Sequence, residues 1–169
     1  MKILFCDTLN KQVVVELYKI GDCVDISTSL TKHKDLKKHI QDSEIIVIRS
    51  STKLTKEILK YGKKLIIIAR CGVGVDNIDT EFAKSQNIAV TNSPTANLIS
   101  VVELTVALVI NASRRISLAD KNVKDGKWDR SEFLGIELSG KTMGIVGFGK
   151  VGQLAVSYTH LTLPTTGVV

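Results

Sequence analysis

Along this chain, apolar runs of strand length alternate with stretches whose apolar positions recur at helical spacing. The runs lie at residues 2–6, 23–27, 44–48, 64–69 and 88–91, and the helical patterns between them at residues 11–20, 34–41, 56–61 and 80–85. Strand, helix and strand in succession return the chain in the same direction, so the alternation predicts a parallel, doubly wound α/β sheet with helices on both faces. The rhythm stops at Asn92, Ser93, Pro94, Thr95, Ala96 and Asn97, a turn-rich segment whose proline biases Ser93 away from helix. A domain boundary is expected there, closing a first domain of residues 1–94.

The longest helix pattern follows, over residues 98–114, with Ser100 and Glu103 at capping-box spacing and an apolar face too wide for a surface helix. Residues 117–139 read as a polar connection containing Trp128, which is either a core plug or an interface anchor. A sixth strand is expected at residues 142–146, directly before the G-x-G-x-x-G run of Gly147, Gly149 and Gly152. In a dinucleotide site the first glycine makes a tight turn, the second lets backbone approach the pyrophosphate, and the third lets the next helix pack closely. The phosphates then meet unpaired N–H groups at the helix N-terminus. The acid expected about 20 residues later to bind the adenosine ribose is missing, because residues 153–169 hold no Asp or Glu. Four threonines and Pro164 crowd residues 157–169, where a helix should continue. A short helix over residues 149–156 is expected, closing a second domain of residues 95–156, and residues 157–169 are expected to be a non-native read-through tail.

Composition narrows the classes. The chain has 169 residues, 44% of them hydrophobic, and a formal charge of +6 carried mainly by lysines scattered over helical patterns. Aromatic residues are 5% of the chain, too few for a basic stripe interleaved with stacking rings, so nucleic acid is not an expected partner. No apolar run reaches the ~20 residues of a membrane span, and the N-terminus lacks a signal-peptide pattern; no membrane partner is expected. Cys6, Cys23 and Cys71 are odd in number and have no C-x-x-C spacing, which argues against a disulfide framework and against a metal site. The simple location is a reducing cytoplasm.

Ligands of open parallel sheets bind beyond the carboxyl ends of the strands. Two such ends are distinctive: residues 44–48 run into Arg49, Ser50, Ser51 and Thr52, and residues 65–69 into Arg70, Cys71, Gly72, Val73 and Gly74. Side by side, they bring two guanidiniums and a glycine-opened row of N–H groups to one place, equipment for a carboxylate or phosphate. Alternatively each arginine is a surface residue paired with a nearby acid such as Asp76 or Asp79.

Five blocks in order carry a more specific signal: residues 49–55, 70–79, 92–97, 126–130 and 140–152. In this combination the chain resembles the D-2-hydroxyacid dehydrogenases over about residues 1–155. The resemblance implies a flavodoxin-like parallel-sheet substrate domain followed by the beginning of a Rossmann NAD-binding domain. It implies that Arg49, Arg70 and Arg130 contact the anionic substrate, with Ser50 nearby, that the N–H groups of Val73 and Gly74 hold its carboxylate, and that Asn97 faces the cleft. Gly147, Gly149, Lys150, Val151 and Gly152 would hold the NAD pyrophosphate, and helix 98–114 with the Trp128 connection resembles the family's dimerisation region, implying a dimer or tetramer. The three arginines favour 3-phosphoglycerate, the precursor of serine, over glyoxylate, hydroxypyruvate or lactate. The family's catalytic His, its orienting Glu and the carbonyl-polarising Arg match no position here, so the chain is expected to be an inactive fragment, or else a remnant that binds anions or a full-length subunit.

Overall fold

The computed structural model describes residues 1–30 and 32–159, which form two compact units, Met1–Ala96 and a second from Asn97 on. In the first, β1 (Lys2–Phe5), α1 (Lys11–Ile20), β2 (Asp22–Asp25), α2 (Lys32–His39), β3 (Ile45–Ile48), α3 (Lys56–Leu59), β4 (Ile67–Arg70), α4 (Thr80–Ser85) and β5 (Ala89–Asn92) alternate without a break. The sheet has the order β2-β1-β3-β4-β5, and every neighbouring pair is parallel. This is the flavodoxin-like order expected from the sequence.

Strand order and side-chain alternation together decide which helix covers which face. The step from β1 to β2 runs one way across the sheet and all later steps run the other way. Right-handed crossovers therefore place α1 on one face and α2 to α4 on the opposite one. The buried residues follow this division. Leu4, Ile46, Ile48 and Ile68 pack with Leu36, Ile40, Ile58, Leu59 and Ala83, whereas Ile3, Phe5 and Val47 pack with Val14 and Leu17 of α1. Ile3 and Phe5 flank Leu4, so the period-two pleat sends them to the other face.

The second unit holds α5 (Leu98–Arg114), α6 (Ile116–Lys124), a 3₁₀ turn at Arg130–Phe133 and α7 (Lys150–Thr159). Several expectations change here. Residues 142–146 are not a strand. A parallel strand takes its backbone hydrogen bonds from neighbours, and the described residues of this unit contain no other strand. The capping box at Ser100 does not form either: Asn97 occupies the N-cap position, without a side-chain bond, and Ser100 lies inside the helix. The wide apolar face of α5 is largely open, with Val102 buried but Leu104 59% and Leu108 56% exposed. The polar connection contains α6, split from α5 by Arg115 in the left-handed conformation. Trp128 is 73% exposed and so plugs no core in this structure. The helix after the glycine run continues three residues past the expected Val156, to Thr159; residues 160–169 of the expected tail lie outside the described residues.

Ile46 sits at the sheet centre, fully buried between β1 and β4. Ile46→Ala should lower unfolding stability by about 2–5 kcal/mol in urea titrations, as for other large-to-small core changes. A loss below about 1 kcal/mol would contradict this packing.

Candidate functional site

The distinctive strand ends lie side by side. Ile48 of β3 is in register with Arg70 of β4, and Arg70 with Asn92 of β5, so Arg49 leaves the sheet beside Arg70. Both arginines act on the thiol between them. Partial burial pushes the Cys71 pKa up, while the guanidiniums of Arg49 and, less strongly, Arg70 pull it back. The alternative of simple surface ion pairs does not hold among the described residues: Arg49 and Arg70 form none. Asp79 instead caps α4 by accepting the Phe82 N–H at 2.9 Å.

The backbone after β4 is turned by its bonds to the end of β5. The Gly72 carbonyl accepts the Ser93 N–H at 2.9 Å, and the Val73 carbonyl accepts from Asn92 Nδ2 at 2.6 Å. In a trans peptide the N–H points opposite to the carbonyl. The N–H groups of Val73 and Gly74 therefore face away from β5, and neither makes a hydrogen bond among the described residues. Two unbonded donors in sequence, on the loop that follows Arg70, are groups of a kind that can hold an anion.

Gly72 fits the arginine rather than the turn alone. A Cβ at this position would stand 1.8 Å from Arg70 Nη1 and 2.7 Å from Cζ, and the glycine has φ +155°. The guanidinium of Arg70 thus lies folded over a bare α-carbon, with its Nε buried and unpaired among the described residues.

Arg49, Ser50, Arg70, Val73 and Gly74 are brought together in the first unit. Asn97 and Arg130 belong to the second, Asn97 exposed at the start of α5 and Arg130 exposed at the start of the 3₁₀ turn. The glycine run is also in the second unit. Gly147 has φ +105°, and α7 opens at Lys150 and Val151. A Cβ on Gly152 would meet the Gly147 carbonyl oxygen at 2.3 Å, so only glycine lets the first helical turn close over the loop. A Cβ on Gly149 would meet nothing within 4 Å. Among the described residues, no group of three or more His, Cys, Asp or Glu side chains is placed to hold a metal.

Reasoning from sequence missed Gly72 as a seat for Arg70, and missed the polar residues that tie the loops, Asp7, Asn77 and Asn92. Asp7 and Asn92 stand just after or at the end of a strand, the position at which open sheets gather ligand-site residues, and that was the available signal.

A family model for the D-isomer specific 2-hydroxyacid dehydrogenase catalytic domain matches residues 3–167. The chain is 46% identical over 156 residues to D-3-phosphoglycerate dehydrogenase of Methanocaldococcus jannaschii, covering 92% of this chain and 29% of that protein. It is 40% identical over 147 residues to hydroxypyruvate reductase of Thermotoga maritima, covering 87% of this chain and 48% of that protein. It therefore spans less than half the length of either relative. The NAD-dependent formate dehydrogenase of Staphylococcus aureus in complex with NAD is similar in structure, with a TM-score of 0.80 at 25% identity over 94% of this chain and 53% of that one.

Gly72→Ala should displace the Arg70 guanidinium, the flexible end of the clash, more than it unfolds the loop. Inorganic phosphate titrated into the protein, followed by amide NMR at Val73 and Gly74, should show affinity at least about threefold weaker for the variant, the loss of part of one charge-assisted pair. Equal affinity would separate Gly72 from the anion site.

Proposed function

We propose, since the chain belongs to the D-isomer specific 2-hydroxyacid dehydrogenase family, that it is part of an NAD-dependent enzyme oxidising 3-phosphoglycerate to 3-phosphohydroxypyruvate, a step toward serine. The observation that supports this reading is that the β3 and β4 ends lie side by side, with Arg49 and Arg70 both acting on Cys71, next to a loop whose Val73 and Gly74 N–H groups are unbonded among the described residues. A 2-hydroxy acid with a phosphate presents two anionic ends. The Val73 and Gly74 N–H pair suits the carboxylate, and the guanidiniums of Arg49 and Arg70, with Ser50, suit the charge at the far end. Smaller acids such as glyoxylate, hydroxypyruvate or lactate carry one anionic end and would use only part of this set.

The glycine turn would hold the pyrophosphate of NAD through backbone N–H groups at the start of α7, with Gly147, Gly149, Lys150, Val151 and Gly152 around it. Bound NAD supplies the acceptor for the hydride leaving the substrate C2. The residues of this chain would bind and orient; a base oriented by a carboxylate, which the reaction also needs, has no candidate among the described residues. The enzyme is proposed to work as a homo-oligomer, and Cys6, Cys23 and Cys71, none of them in a disulfide, favour a cytoplasmic setting.

In calorimetric titration of 3-phosphoglycerate into this chain, Arg70→Ala should lose about 2 kcal/mol or more of binding, the cost of removing one partner of a charge-assisted pair. Unchanged affinity in the Arg49→Ala, Arg70→Ala double variant would remove the substrate from these positions. With 3-phosphoglycerate and NAD, the 169-residue chain should form no NADH. Turnover would show that the base lies within it.

A further inference from the structure

We propose that Asp7 and Asn77 are positioning residues for the anion site: together they clamp residues 49–52 and so hold Arg49 where the substrate anion needs it. The inference rests on the functional reading above and adds to it two residues that do not touch the substrate. In a β2-β1-β3-β4-β5 sheet the crossovers diverge between β1 and β3, and the crevice beyond those strand ends is where such folds take a ligand. Here the chain fills the crevice with its own carboxylate. Asp7, two residues past β1, is 4% exposed. Its Oδ2 accepts the Arg49 N–H at 2.6 Å and the Thr52 N–H at 3.3 Å; its Oδ1 accepts the Thr52 hydroxyl at 2.8 Å and also the Ser51 hydroxyl.

Asn77 closes the clamp from the acceptor side. Its Nδ2 donates to the Arg49 carbonyl at 2.8 Å and to the Thr52 carbonyl at 2.6 Å. The Asn77 Oδ1 is buried and unpaired among the described residues. That imperfect arrangement is still the better one, because the flipped amide would press its oxygen against two carbonyl oxygens. Arg49 is therefore held by both its N–H and its C=O, and its Nη1 reaches the Thr8 carbonyl at 3.4 Å. Residues 49–51 are exposed and outside any helix or strand. Without the clamp they would have to be ordered at the moment of binding, which weakens affinity.

The clamp and simple electrostatics predict opposite signs. Removing a negative charge beside an anion site should by Coulomb's law tighten anion binding; removing a clamp should loosen it. The experiment is a titration of 3-phosphoglycerate into the chain, read at the Val73 and Gly74 amides by NMR, for the wild type and Asp7→Ala, Asp7→Asn, Thr52→Val and Asn77→Ala variants. Asp7→Ala and Asn77→Ala should bind about tenfold more weakly. Asp7→Asn should restore most of the affinity, since its amide oxygen can still accept both N–H groups while the Ser51 and Thr52 hydroxyls turn to accept from its NH₂. Thr52→Val removes one donor without changing charge or volume much, and should cost about threefold; it keeps the test decisive if Asp7→Ala does not fold. Wild-type binding that Asp7→Ala and Thr52→Val leave equal or tighter would overturn the clamp and leave the functional reading standing. A wild-type chain whose Val73 and Gly74 amides do not respond to 3-phosphoglycerate would overturn the functional reading itself, and this inference with it.

Discussion

A parallel sheet satisfies its backbone along the strands and leaves the loops at its carboxyl edge to find partners elsewhere. In this protein those partners are a few polar side chains, Asp7 and Asn77 buried and Asn92 exposed. Asp7 takes the donors of the loop after β3, Asn77 takes its acceptors, and Asn92 fixes the carbonyl side of the loop after β4. The chain also runs Leu54 beside Ile78 in an isolated parallel bridge, with the Leu54 N–H on the Asn77 carbonyl at 2.8 Å. The two loops that carry Arg49 and Gly74 are thus tied to one another and to the end of β1. The proposed anion site depends on that fixed edge, because guanidiniums and free N–H groups are useful only when their directions are set before a ligand arrives.

The core that supports the edge was legible because it obeys short-range rules. Ile3, Leu4 and Phe5 alternate faces, and the run at Ile45 to Ile48 is apolar throughout, as a strand buried on both sides must be. Helices α1, α4 and α5 match their patterns from end to end. The missed helix α6 has a narrow apolar face of Ile116, Ala119 and Val123, set among polar residues, which does not stand out from a connection.

The site was legible in part, and the division has a physical origin. Arg49, Arg70 and the glycines are recognisable because a residue type suited to anions stands at a strand end, and strand ends are visible in the sequence. Asp7 and Asn77 act on backbone groups 42 to 45 and 25 to 28 residues away. Apart from the Ser51 and Thr52 hydroxyls on Asp7 these partners are backbone groups, which leave no residue-type signature, so the strand-end position of Asp7 was the one cue and Asn77 had none. Gly72 was read as one of the glycines that open a row of backbone N–H groups; that it seats a guanidinium depends on where the Arg70 side chain folds, which is a tertiary fact.

The second unit separates local from non-local determinants most clearly. Its glycine turn forms, with Gly152 packed against the Gly147 carbonyl and the Gln153 N–H on the Gly149 carbonyl at 3.0 Å, because every contact it needs lies within a few residues. The strand expected immediately before it does not form, although its residues are apolar, because a strand is completed by hydrogen bonds to a neighbour. The same reasoning applies to α5. Its apolar residues suffice for the helix, but Leu104 and Leu108 remain exposed, since covering them takes a surface that local sequence cannot supply. A G-x-G-x-x-G turn can therefore be encoded in six residues, whereas a sheet must be encoded by the whole domain.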